Sequence, residues 1–110
     1  MLPVTFLDFS VEAMADGINV LWSTSEELNN SFFSVQRSLT GSVWETVALI
    51  RGAGTTDVVQ NYKYIDQTPY RGTSYYRIKQ HDFNGSTSYT ELIRAHLPEV
   101  DTNLQLSPNP

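Results

Sequence analysis

Apolar and polar residues alternate along most of this chain, most clearly in residues 74–89, SYYRIKQHDFNGSTSY. Tyr76 and Ile78 stand two apart, so an extended strand points both to one face and Tyr75 to the other. Asn84-Gly85 follows, a pair that accepts the positive φ of a tight hairpin turn. A second alternating run over 87–97 returns beside the first. The stretch predicts a β-hairpin.

The same period recurs upstream. Residues 4–11 (VTFLDFSV) read as a strand near a sheet edge, with Leu7, Phe9 and Val11 on one side. Ala15-Asp16-Gly17 turns the chain into residues 18–24 (INVLWST), where Ile18, Val20 and Trp22 share a face. A tryptophan in such a strand belongs in a core. Residues 25–31 (SEELNNS) are polar and hold Asn29-Asn30, which predicts a loop. Residues 32–38 (FFSVQRS) resume the strand pattern with Phe33 and Val35 inward, and Thr40-Gly41-Ser42 turns it into 43–50 (VWETVALI). Residues 51–57 (RGAGTTD) predict a flexible crossing loop. A short strand over 62–66 (YKYID), with Tyr62 and Tyr64 on one side, and a turn around Pro69 and Gly72 lead into the hairpin.

Seven strands, turns every eight to twelve residues and no helical period predict an all-β, seven-stranded antiparallel β-sandwich. One domain is expected over residues 1–97. Residues 98–110 carry Pro98, Pro108 and Pro110 and read as a linker; Leu104 and Leu106, two apart, form its one apolar pair.

Composition narrows the function more than the fold. At 110 residues and 40% hydrophobic content the chain can bury one core unaided. A net charge of −5 argues against a nucleic-acid partner held by phosphate neutralisation, and against a polybasic membrane contact. No apolar run reaches the length of a membrane span, and no stretch reads as a signal peptide. The absence of cysteine excludes a disulfide scaffold.

Reactive constellations are scarce. His81 and His96 are the only histidines and fall in different runs, too few to make a zinc site. No G-x-S-x-G motif supplies a nucleophile for a triad with His81. Glu26-Glu27 is the tightest carboxylate pair and reads as a loop facing water. The run Asp82-Phe83-Asn84-Gly85 imitates part of a calcium loop but lacks the downstream glutamate. Arg37, Arg77 and Arg94 are expected to pair across strands with Glu or Asp, each worth roughly a few tenths of a kcal/mol. The expectation is a domain with no catalytic residues, metal or cofactor. Trp44, Tyr70, Tyr75 and Phe83 cannot all point inward if Trp22, Tyr76 and Ile78 do. They form the candidate site of an alternative function, a weak carbohydrate-binding module with affinity of about millimolar.

The spacing INVLWST, FFSVQRS and YKYID followed by PYRGTSYYRI resembles a fibronectin type III, immunoglobulin-like domain. Trp22 matches that family's core tryptophan on the second strand, Phe33 and Val35 its aromatic-x-Val pair on the third, and Tyr76 its tyrosine opening the sixth. The phrases LWSTSEELNNSFFSVQRS, LIRGAGTT and SYYRIKQHDFNGSTSYTELI narrow the likeness. They are similar to the fibronectin-like module preceding the C-terminal sorting domain of type IX secreted proteins of Bacteroidetes. The closing LQLSPNP is similar to the opening of that sorting domain. His81, where that pattern has an aliphatic residue, and Tyr64, where Phe is commoner, depart from it. The resemblance implies a secreted or cell-surface setting and a non-catalytic spacer or accessory role. The implied partners are upstream domains of the same protein and, through the sorting domain, the secretion machinery; polysaccharide is the partner of the alternative reading.

Overall fold

A computed structural model describes residues 4–98, and they form an antiparallel all-β structure of seven strands. These are β1 (Val4–Met14), β2 (Gly17–Ser38), β3 (Glu45–Thr56), β4 (Gln60–Asp66), β5 (Gly72–Asp82), β6 (Thr87–Tyr89) and β7 (Ile93–Leu97). The other strands are arranged around β2, which is 22 residues long. Its first half pairs with β1 on one edge and β4 on the other. Its second half pairs with β3 and β5. β5 then carries β6 beside its end and β7 beside its beginning.

The two-residue period decides the interior. Ile18, Val20 and Trp22 of the first half are 0–2% exposed, and Phe33 and Val35 of the second half are fully buried, as are Tyr76 and Ile78 of β5. Rings from both halves of β2 meet. Trp22 packs edge-on to Phe33 at 5.6 Å between centroids and stacks on Tyr62 at 5.5 Å. Phe6 closes on Phe33 at 6.1 Å, so β1 contributes to the same core.

Both the loop expected over 25–31 and the crossing loop expected over 51–57 are strand. Residues 25–31 continue β2, and most of residues 51–57 belong to β3. The two segments pair through Glu27 with Thr56 and Asn30 with Gly54. Their composition reads as loop because each holds what a crossing strand needs. Asn29 adopts φ 53° at a break in the register, a conformation asparagine tolerates. Gly52 lies where a Cβ would come within 2.3 Å of the Asn30 amide, so only glycine fits beside that side chain. Leu7 also departs from expectation. A bulge between Phe6 and Asp8 leaves Leu7 without a partner and 52% exposed, while Phe6 and Phe9 pack against the core. The single return run over 87–97 is two strands, because Thr90 breaks the pairing by holding Ile78 through both its backbone N–H and its hydroxyl. The hairpin turn is as expected, with Gly85 at φ 92°. The linker expected over 98–110 lies, beyond Pro98, outside the described residues.

Candidate functional site

Among the described residues, two carboxylates lie inside the fold. Asp66, at the end of β4, is 1% exposed and Glu27, midway along β2, is 2% exposed. Asp66 accepts from the Arg37 guanidinium at 2.9 and 3.0 Å, from the Tyr76 hydroxyl at 2.5 Å and from the Thr68 amide at 3.1 Å. Burial works against the Arg37 charge, yet the hydrogen bond and charge of Asp66 outweigh it and raise the arginine's pKa. Burial, then the bond to Asp66, raises the Tyr76 phenol far above its ordinary range. Glu45 adds a second, exposed carboxylate to Arg37 and accepts from Tyr70, whose ring lies 4.6 Å from the guanidinium carbon. The Arg37–Asp66 pair is largely buried, so the few tenths of a kcal/mol expected for Arg37 understate what breaking it would cost.

Glu27 corrects the expectation of a water-facing Glu26-Glu27 pair, since only Glu26 faces out. Glu27 accepts from the Thr24 hydroxyl at 2.8 Å, the Asn30 amide at 2.7 Å, the Ala53 backbone N–H at 2.8 Å and the Tyr62 hydroxyl at 2.6 Å. Burial alone would raise its pKa, but the bonds from Tyr62, Asn30, Ala53 and Thr24 together leave it below the ordinary value of 4.5. The network runs on through Asn30 to Gln80 at 2.9 Å and from Gln80 to Ser88 at 3.1 Å. Both carboxylates are thus filled with partners from the fold itself. Among the described residues, no group of three or more His, Cys, Asp or Glu side chains is placed to hold a metal ion.

The other polar concentration is the outward face of β3, the second half of β2, β5 and β6. Register places Arg51, Phe32, His81 and Thr87 in one row across it, and Leu49, Ser34, Lys79 and Tyr89 in the next. His81 stacks flat on Phe32 at 4.0 Å between centroids, and its Nε2 lies 2.8 Å from the Ser34 hydroxyl. His81 is therefore half-buried rather than an exposed strand histidine; burial first, then the Lys79 charge, lowers its pKa. This serine–histidine contact was not legible in the sequence, because register across β2 and β5 creates it. Among the described residues no carboxylate bonds His81, so the third member that would orient a catalytic pair is missing.

Arg77 lies between two rings, 4.2 Å from Trp44 and 4.2 Å from Tyr89, and donates from Nε to Gln36 at 2.8 Å. The expected carboxylate partners of Arg77 and Arg94 do not materialise: among the described residues every ion pair involves Arg37.

The four candidate sugar-binding aromatics divide between opposite ends of β5. Trp44 and Tyr70 line a hollow with Ser38, Thr40 and Val43, and Tyr75 lies opposite Ser38 beside Gly41. Phe83 lines a different groove with Phe32, Leu49 and Arg51. Eight residues of extended chain separate Tyr75 from Phe83, about 26 Å at the usual rise. They do not build one site. Phe32 and Tyr89, which the candidate set omits, lie on the outward face, and the parity that puts Phe33 inward already points Phe32 out. No protein-family model matches the chain, and no curated protein is similar enough to count as a relative.

Proposed function

We propose that the seven strands form a two-layer sandwich of the fibronectin type III kind, serving as a non-catalytic spacer or accessory module in a secreted or cell-surface protein. The division of β2 supports the layers: its first half takes β1 and β4, its second half β3 and β5, and Trp22 and Phe33 fill the space between. One observation carries the spacer role. The two buried carboxylates, the groups best placed for chemistry, are saturated by Arg37, Tyr76, Tyr62, Asn30, Thr24 and backbone amides. Their bonding capacity is spent on holding strands together. The phrases similar to modules that precede a type IX sorting domain support a position between upstream domains and an export signal.

The test replaces this segment, within the full-length protein, by an unrelated sandwich of similar length. Export and upstream activity should survive the exchange and fall on simple deletion. Loss of either after the exchange would overturn the spacer reading.

A further inference from the structure

The chain carries a net charge of −5, yet its outward β3–β2–β5–β6 face is cationic. Lys79 and Arg77 project from β5 and Arg51 from β3, on the far side of β2, while Arg94 lies opposite Tyr75 beside that face. Among the described residues none of the four has a carboxylate within ion-pair distance. Acidic side chains are plentiful elsewhere, including Asp8, Glu12, Asp16 and Glu26, so the segregation is not forced by composition. Between the cations stand flat apolar surfaces. Tyr89 lies between Arg77 and Lys79, Phe32 carries the His81 ring, and Phe83 (69% exposed) and Leu49 (65% exposed) flank a groove. Arg77 meets its two rings through the guanidinium faces and Gln36 through Nε, which leaves its terminal nitrogens without a hydrogen-bond partner among the described residues.

We propose that this face docks an acidic polysaccharide, a chain of uronic-acid rings lying across the strands. The inference goes beyond the spacer reading, because a module separates its neighbours whether or not its face is occupied. A pyranose ring offers a C–H face for the exposed Phe83 ring, and each uronate offers a carboxylate that a guanidinium grips with two hydrogen bonds. Arg77 and Lys79, two residues apart on β5, repeat at about 6.7 Å, and Arg51 on β3 stands two strand spacings from β5, about 9.6 Å. An acidic peptide lying flat on this face would meet side chains alone, because the free backbone groups that could bind its amides stand at the outer edges of β3 and β6. Nucleic acid carries a charge every ~1.7 Å of duplex axis, a far denser line than one carboxylate per sugar, and meets stronger repulsion from the rest of an acidic protein.

Affinity electrophoresis and calorimetry of the domain with polygalacturonate should show binding that weakens as salt is raised, while dextran at equal mass concentration gives none. Arg77→Gln and Trp44→Ala should each weaken it at least tenfold. Lys63→Gln, which removes a cation from β4, should leave it unchanged. Should either of the first two variants lower the melting temperature, the double variant Arg51→Gln/Lys79→Gln, whose side chains make no ion pair, provides the same reading. Absence of polygalacturonate binding would overturn the proposal. So would equal binding of dextran, or equal weakening by Lys63→Gln. Binding of polyglutamate or single-stranded DNA as tight as that of polygalacturonate would overturn it too, reassigning the face to that class of polyanion.

Discussion

Asp66 and Glu27 are both carboxylates inside a small β protein, and the fold neutralises them in different ways. Asp66 faces a guanidinium, so charge meets charge where β2 and β5 run past the end of β4. Among the described residues Glu27 has no cation partner, only two hydroxyls, an amide and a backbone N–H. Position explains the difference. Asp66 lies near the rim, where the long Arg37 side chain also reaches Glu45 and the Thr68 carbonyl. Glu27 lies where β2 exchanges one set of partners for the other, and short neutral donors suit that crowded crossing. A buried ion pair fails abruptly when one partner goes, since the other charge is stranded; a neutral shell fails by degrees.

The largest expected loss tests the abrupt case. Asp66→Ala takes the buried carboxylate from the Arg37 guanidinium, leaving it the exposed Glu45 and the Thr68 carbonyl, and unpairs the Tyr76 hydroxyl; it should lower stability by about 3–5 kcal/mol in denaturant unfolding. Trp22→Ala, which deletes a large core ring at 2% exposure, gives the yardstick and should also remove about 3–5 kcal/mol. An Asp66→Ala loss below half that of Trp22→Ala would mean that Arg37 escapes to solvent, and the contrast between the carboxylates would collapse.

Glu27→Gln comes next, at about 1–3 kcal/mol. The replacement keeps the shape but turns one acceptor oxygen into a donor facing donors. It also isolates a pH effect. The folded pKa of Glu27 is depressed, so its contribution is fully present above the ordinary value of 4.5 and is lost as pH falls through the folded value. Wild-type stability should therefore decline on acidification below about pH 4.5, and the Glu27→Gln profile should be flatter over that window. Parallel profiles would show that Glu27 contributes nothing to acid sensitivity.

The same contrast separates what was legible in the sequence from what was not. Period-two alternation identifies Ile18, Val20, Trp22, Phe33, Val35, Tyr76 and Ile78 as core, because burial of alternate apolar side chains is a local consequence of the strand pleat. It fails at residues 25–31 and 51–57. Those segments become strand through bonds to Tyr62, Ala53 and Gln80, far away in sequence, and no local pattern encodes them. The outward face was half legible. Parity gives the direction of Phe32 and Arg77, but the stacking of Arg77 between Trp44 and Tyr89 needs the register of three strands.

The smallest expected effects sharpen the comparison most. Tyr76→Phe and Tyr62→Phe each delete one hydroxyl donating to a buried carboxylate, at 2.5 and 2.6 Å respectively. The two bonds differ little in length, so the difference in their effects reports what remains around each acid. After Tyr76→Phe, Asp66 still holds Arg37 by two close contacts, and the loss should be about 0.5 kcal/mol. After Tyr62→Phe, Glu27 keeps only neutral donors, and the loss should be about 1.5 kcal/mol. A Tyr62→Phe/Glu27→Gln double variant should lose less than the sum of its two single losses, because both changes remove the same bond. The order of the two tyrosine losses is the decisive reading from thermal melts at neutral pH. Equal losses, or a larger one at Tyr76, would show that the guanidinium does not buffer Asp66, and that the two carboxylates are held in the same way after all.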